Sequence, residues 1–158
     1  MGISLEDIPV AHTPPGGWED MPAPVLTGCV EDLVPGAPDL RGLWKVTRVV
    51  DVDGNEVPGA PMLGLVQRIE QAGDRVVVMC KGVTHDMRCD GSTERGVNDV
   101  FEFDRATPLV VRASYEDGVH VLRPEGLEGV EVRRWVEDGE LRWTYAGLMT
   151  SSERMGDA

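Results

Sequence analysis

The sequence predicts an all-β fold: an antiparallel up-and-down β-barrel of about 8–10 strands behind a proline-rich N-terminal arm. Three observations lead there. From Gly42 onward, short runs rich in Val, Thr and aromatic residues alternate with turn signals, at a spacing of about 8–12 residues. Asp-Gly, the strongest short hairpin signal, stands at Asp53-Gly54, Asp90-Gly91, Asp117-Gly118 and Asp138-Gly139. After Gly42 no segment carries a helical period. A chain of 158 residues suits one domain. It is read as an arm, 1–41, packing on a barrel, 42–158.

The arm is set apart by its prolines. They cluster at Pro14-Pro15, Pro22, Pro24, Pro35 and Pro38, a density that excludes long helices and central strands. Ser4–Ile8 suits one helical turn with Ser4 as its N-cap and Glu6-Asp7 in the first turn. Trp18, Val25, Leu26, Leu33 and Leu40 are apolar anchors, so the arm is expected across the barrel mouth or along its wall.

Nine β-type runs follow: Leu43–Val52, Leu63–Gln71, Arg75–Lys81, Val83–Cys89, Val97–Asp104, Leu109–Glu116, Val119–Arg123, Val130–Glu137, and Leu141 onward. Their connections are short, which favours consecutive antiparallel neighbours. Closing the meander removes exposed edges. Period-2 alternation then assigns faces. Trp44, Val46, Arg48 and Val50 are expected inward on the first run. So are Leu109, Val111, Ala113 and Tyr115, then Val130, Val132, Arg134 and Val136, and finally Leu141, Trp143 and Tyr145.

Composition excludes several functions. Acidic residues number 28 against 15 basic ones, and the net charge of −13 disfavours nucleic acid and anionic membrane surfaces. No apolar run reaches membrane-spanning length, and the N-terminus lacks a secretory pattern. Cys29, Cys80 and Cys89 show no paired spacing and suit reduced thiols in the cytoplasm. No phosphate-binding glycine motif is present. His12, His85 and His120 are too dispersed for a metal site, and no cofactor is expected.

Gly42-Leu43-Trp44 resembles the G-x-W signature of the calycins, the lipocalins and fatty-acid-binding proteins. Gln67–Val78 resembles the second and third strands of an intracellular fatty-acid-binding protein. Val100-Phe101-Glu102-Phe103-Asp104 resembles that family's G-x-x-F-D segment, and Val132–Leu141 its penultimate hairpin. The resemblance covers about Gly42 to Met155. It implies a calycin-like barrel with an inward arginine at Arg134, and a closing arginine, Arg154, stacked on Trp44. The chain departs from the pattern twice. Asp53–Met62 replaces a helical lid with Gly and Pro, and Arg154-Met155-Gly156 lacks the terminal R-x-Y.

The chemistry then narrows to a few side chains. A guanidinium inside a barrel is costly unless paired, so an inward Arg134 anchors an acidic ligand or joins an internal salt bridge. Arg48 is a candidate for the same role. Trp44, Met87, Tyr115, Trp143 and Tyr145 are the expected lining of an apolar, partly aromatic cavity. His85 shares a face with Met87 and Cys89, and is either an acid–base group or a hydrogen-bonded core histidine. His120, between Val119 and Val121, is expected to be exposed.

The leading expectation is a monomer or homodimer binding a hydrophobic or amphipathic, possibly acidic, small molecule inside the barrel. The alternative is a barrel enzyme promoting cyclisation, isomerisation or dehydration of a polyketide- or lipid-like substrate, with His85, Tyr115 or Tyr145 as polar handles. A third reading is a protein–protein module whose arm docks on a partner.

Overall fold

The computed structural model describes residues 2–102 and 104–158. Its strands are β1 (Gly42–Val50), β2 (Val66–Ala72), β3 (Arg75–Cys80), β4 (Thr84–Arg88), β5 (Val97–Val100), β6 (Pro108–Glu116), β7 (Val119–Pro124), β8 (Val132–Glu137), β9 (Glu140–Tyr145) and β10 (Leu148–Gly156). They form one 10-stranded sheet in the order β4-β3-β2-β1-β10-β9-β8-β7-β6-β5. Every pairing is antiparallel, and β1 returns to pair with β10. This is the expected up-and-down meander, curled until β4 and β5 face each other.

Turn chemistry explains the hairpins. Asp117-Gly118 and Asp138-Gly139 have positive φ at both residues, as a tight two-residue turn with the strands' own twist requires. Ala146-Gly147 does the same and splits the final run into β9 and β10. Ala-Gly is not a turn signal in sequence, so the pattern leaves the final run undivided, while ten strands fall within the expected 8–10. Asp53-Gly54 and Asp90-Gly91 lie in longer connections instead.

Several face assignments need correction, and Val130 and Val136, expected inward, are 40% and 38% exposed. In β1 the register against β10 slips between Val46 and Arg48. This bulge moves Val49 into the core and turns Arg48 outward, where it pairs with Glu56 at 3.2 Å. Tyr145 is 44% exposed, because it stands at the rim where β9 meets its turn.

One core cluster fills the barrel, with Trp44, Val46, Ile69, Val76, Met87, Val97, Val111, Leu141 and Trp143 among its members. Leu40, from just before β1, is fully buried in it. Leu40 N–H donates to Gln71 Oε1 at 2.6 Å, and Trp44 Nε1–H donates to the Leu40 carbonyl at 2.9 Å. Val57, Ala60, Met62 and Leu65, from the β1–β2 connection, pack on the same core. That non-helical connection occupies the place of the missing lid.

A second cluster lies outside the wall. Leu5 and Leu26 are buried against Ala72, Val77 and Met79, with Met21 and Val25 packed alongside. β3 is therefore apolar on both faces, which is why it reads as a continuous run. Burying each leucine is worth ~1.5–3 kcal/mol. Ser4 caps the 3-10 turn Leu5–Asp7 by accepting from Glu6 N–H.

Polar groups fix the register of this packing. Glu70 accepts from Val25 N–H at 2.7 Å and Leu26 N–H at 3.0 Å. Arg75 donates twice to Asp86, at 2.8 and 2.6 Å. It also donates to the carbonyls of Leu5 at 3.2 Å, Ile8 at 2.8 Å and Pro9 at 3.0 Å. All five guanidinium N–H donors are used, and the pair is buried. Asp86 also accepts from Ala11 N–H at 2.9 Å.

The same stretch crosses the seam where β4 and β5 do not pair as strands. Thr13 N–H donates to Asp99 at 2.9 Å, while Thr13 Oγ1 accepts from Thr84 N–H at 3.0 Å. Arg88 N–H donates to the Arg95 carbonyl at 2.7 Å at one end of the seam. At the other end His85 Nε2–H donates to the Val100 carbonyl at 2.9 Å.

Arg75→Leu strands the Asp86 carboxylate in a dry site and frees three carbonyls, so it should cost about 3–5 kcal/mol in urea denaturation. The double variant R75L/D86L should recover part of that loss. Faster amide exchange at Ala11 and Thr13 should accompany R75L.

Candidate ligand site in the barrel lumen

The inward faces of β7, β8, β9 and β10 set one row of side chains across the barrel. His120 pairs with Arg134, Arg134 with Trp143, and Trp143 with Thr150. Directly opposed residues on one face have Cβ atoms about 5 Å apart, so these groups are neighbours. All are buried, with Arg134 at 7% exposure and His120 at 0%. Tyr115, on β6, extends the row, its ring centroid 5.9 Å from that of His120. The guanidinium carbon of Arg134 lies 5.6 Å from the centre of the Trp143 ring, a cation–π contact.

Several polar atoms of this row lack partners among the described residues. Arg134 Nε and Nη1, both His120 nitrogens and Trp143 Nε1 make no hydrogen bond and are cut off from solvent. Gln67 Oε1 and Ser152 Oγ are in the same condition. Gln67 sits opposite Trp44, and Ser152 opposite both Val46 and Leu141, so both also face inward. A buried polar atom without a partner costs ~1–3 kcal/mol, more when charged. Donors predominate in this set, so the group that would satisfy it is an acceptor.

Burial shifts the titratable groups. Desolvation, with a smaller contribution from the Arg134 charge, lowers His120 from 6.5 to about 3, so the ring is neutral. Desolvation brings Arg134 down to about 10, against a smaller opposing pull from Glu102 and Cys80. At neutral pH it remains a cation, held at a cost. Burial raises the thiols of Cys80 and Cys89 to about 11 and about 12, and raises the Tyr115 phenol as well. The thiols therefore stay protonated and are not nucleophiles.

The residues singled out from sequence fall into two groups. Trp44, Met87, Tyr115, Arg134 and Trp143 come together in or against the barrel core. Arg48 and Tyr145 stay outside it. His85 faces inward beside Val78 and Met87, with Nε2 taken up by the Val100 carbonyl. Tyr115 accepts from Gln71 Nε2 at 3.0 Å. His85, Tyr115 and Tyr145 are thus not assembled into one catalytic set. His120 is the main correction, since it is fully buried rather than exposed. Its neighbours Val119 and Val121 are both apolar, so alternation carried no phase for that strand. The signal that would have found it is the register of the Asp117-Gly118 hairpin, which sets His120 opposite inward Tyr115.

At the far end of the barrel Arg154 stacks over Trp44, 5.8 Å from guanidinium carbon to ring centre. No metal-binding cluster of His, Cys, Asp and Glu occurs among the described residues. No helix among them is long and apolar enough to cross a membrane.

No family model matches the chain, and no curated protein matches it significantly. Among solved structures it is similar to human cRBP IV at 16% identity, over 73% of this chain and 98% of that one, with a TM-score of 0.47. The strand order itself fixes the architecture. It is a ten-stranded antiparallel up-and-down barrel. In this barrel the row His120–Arg134–Trp143 gathers unpartnered polar groups on three neighbouring strands.

The depressed His120 value predicts a pH dependence. A histidine buried neutral stabilises the fold fully above its unfolded value of 6.5, and the stability drains as pH falls toward about 3. The unfolded chain takes up the proton that the folded chain refuses. Between pH 6.5 and pH 5 the loss should be about 2 kcal/mol. Urea denaturation of wild type and His120→Phe at both pH values should show that loss only in wild type.

Proposed function

We propose that the protein binds a hydrophobic or amphipathic small molecule inside the barrel, with the acidic end of the ligand on Arg134. One observation supports this above the others: a buried guanidinium whose Nε and Nη1 have no acceptor. No carboxylate lies within ion-pair distance of it among the described residues. A ligand carboxylate or enolate supplies that acceptor and offsets the desolvation that Arg134 already bears. Trp143 Nε1–H is a second donor beside it. Three free thiols suit work in a reducing compartment.

Binding rather than turnover is the reading favoured here. The candidate acid–base groups are each engaged or outside, and the lumen thiols are held protonated.

Calorimetric titration with dodecanoate and dodecan-1-ol tests the proposal on wild type and Arg134→Leu. Dodecanoate should lose about thirtyfold or more in affinity in the variant, because an ion pair in a desolvated site is removed. Dodecanol should change less than threefold. Equal losses for both, or no dodecanoate binding to wild type, would contradict it.

A further inference from the structure

Arg134 is not the only lumen group without a partner. His120, its cross-strand neighbour, has both ring nitrogens unpaired and no solvent access. An acid group on Arg134 leaves these nitrogens as they were. Core histidines ordinarily tie at least one nitrogen to a carbonyl or hydroxyl, as His85 does with Val100. His120 does not, even though the Tyr115 ring lies 5.9 Å away.

The chemistry of the missing partner follows from the ring. A neutral imidazole presents one N–H and one lone pair. A second carboxylate on the ligand would match only the N–H, and so only the tautomer that turns the N–H toward the ligand head. An ammonium would match the lone pair but would sit beside the Arg134 cation. A hydroxyl both donates and accepts, so it suits either tautomer. The register sets His120 directly across from Arg134, so the hydroxyl that meets it is one carried close to the acid carbon.

Resting on the Arg134 reading, we infer that His120 is a specificity residue that selects a 2- or 3-hydroxy acid over the plain acid. The ligand head is then a two-point group, with the oxyanion on Arg134 and Trp143 and the hydroxyl on His120. Gln67 Oε1 and Ser152 Oγ stand on other inward rows and are left for polar atoms further along the ligand.

The experiment compares dodecanoate, 2-hydroxydodecanoate and 3-hydroxydodecanoate by calorimetry, on wild type and His120→Phe. On wild type one of the hydroxy acids should bind about five- to tenfold more tightly than dodecanoate, the worth of one neutral hydrogen bond. H120F should bring the three acids within twofold of one another. If H120F does not fold, the His120 ring resonances of wild type serve instead. They should move with the favoured hydroxy acid well beyond the shift that dodecanoate causes. Equal affinities of all three acids for wild type, or a hydroxyl preference that survives in H120F, would overturn the inference and leave the Arg134 reading standing. Failure of every acid to bind wild type would sink the Arg134 reading itself, and this inference with it.

Discussion

Arg75 spends every N–H it has on holding the chain closed. Two go to Asp86 on β4, and three go to carbonyls of Leu5, Ile8 and Pro9. Asp86 in turn takes Ala11 N–H, and two residues on, Thr13 bridges Thr84 and Asp99 across the seam. A meander that curls into a barrel must manage the two edges that meet last. Here backbone bonds across these edges are sparse, Arg88 N–H to the Arg95 carbonyl being one. The edges are bridged by side chains and by a strand-like stretch from outside the sheet. A single buried charge pair therefore orients the segment that closes the barrel.

Closure has an electrostatic consequence on the other side of the wall. A dry interior makes every unpaired polar group expensive, and a charged one most of all. That is the setting in which Arg134, His120 and Trp143 lie side by side without acceptors. The outer clamp and the inner row are chemical opposites. Arg75 is fully satisfied and structural, whereas Arg134 keeps Nε and Nη1 without an acceptor and rests against the Trp143 ring. The two buried arginines are told apart by counting acceptors, not by burial.

The meander was legible because β-branched runs and Asp-Gly turns act locally. Leu141 and Trp143 alternate cleanly, and so do Val111 and Ala113, so their inward face was readable. Arg48 was misplaced because a bulge at Val46–Arg48 shifts the phase, and nothing in Lys45-Val46-Thr47-Arg48 marks it. Tyr145 was misplaced because the strand ends under it, at a turn written Ala-Gly. His120 hid between two valines. The Arg75–Asp86 clamp was invisible because its other partners are backbone carbonyls 66 to 70 residues away. Long-range backbone acceptors leave no trace in side-chain pattern.

The central claim is that an anion belongs on Arg134 inside the barrel. The most direct check is carbon-13 NMR of dodecanoate labelled at its carboxyl carbon and bound to the protein, followed through acid pH. Beside a buried guanidinium the carboxyl should stay ionised well below the range in which a free fatty acid titrates, and that protection should vanish in R134L. A bound carboxyl that titrates at or above its ordinary range would place the head in water or in an apolar pocket, and would contradict the claim.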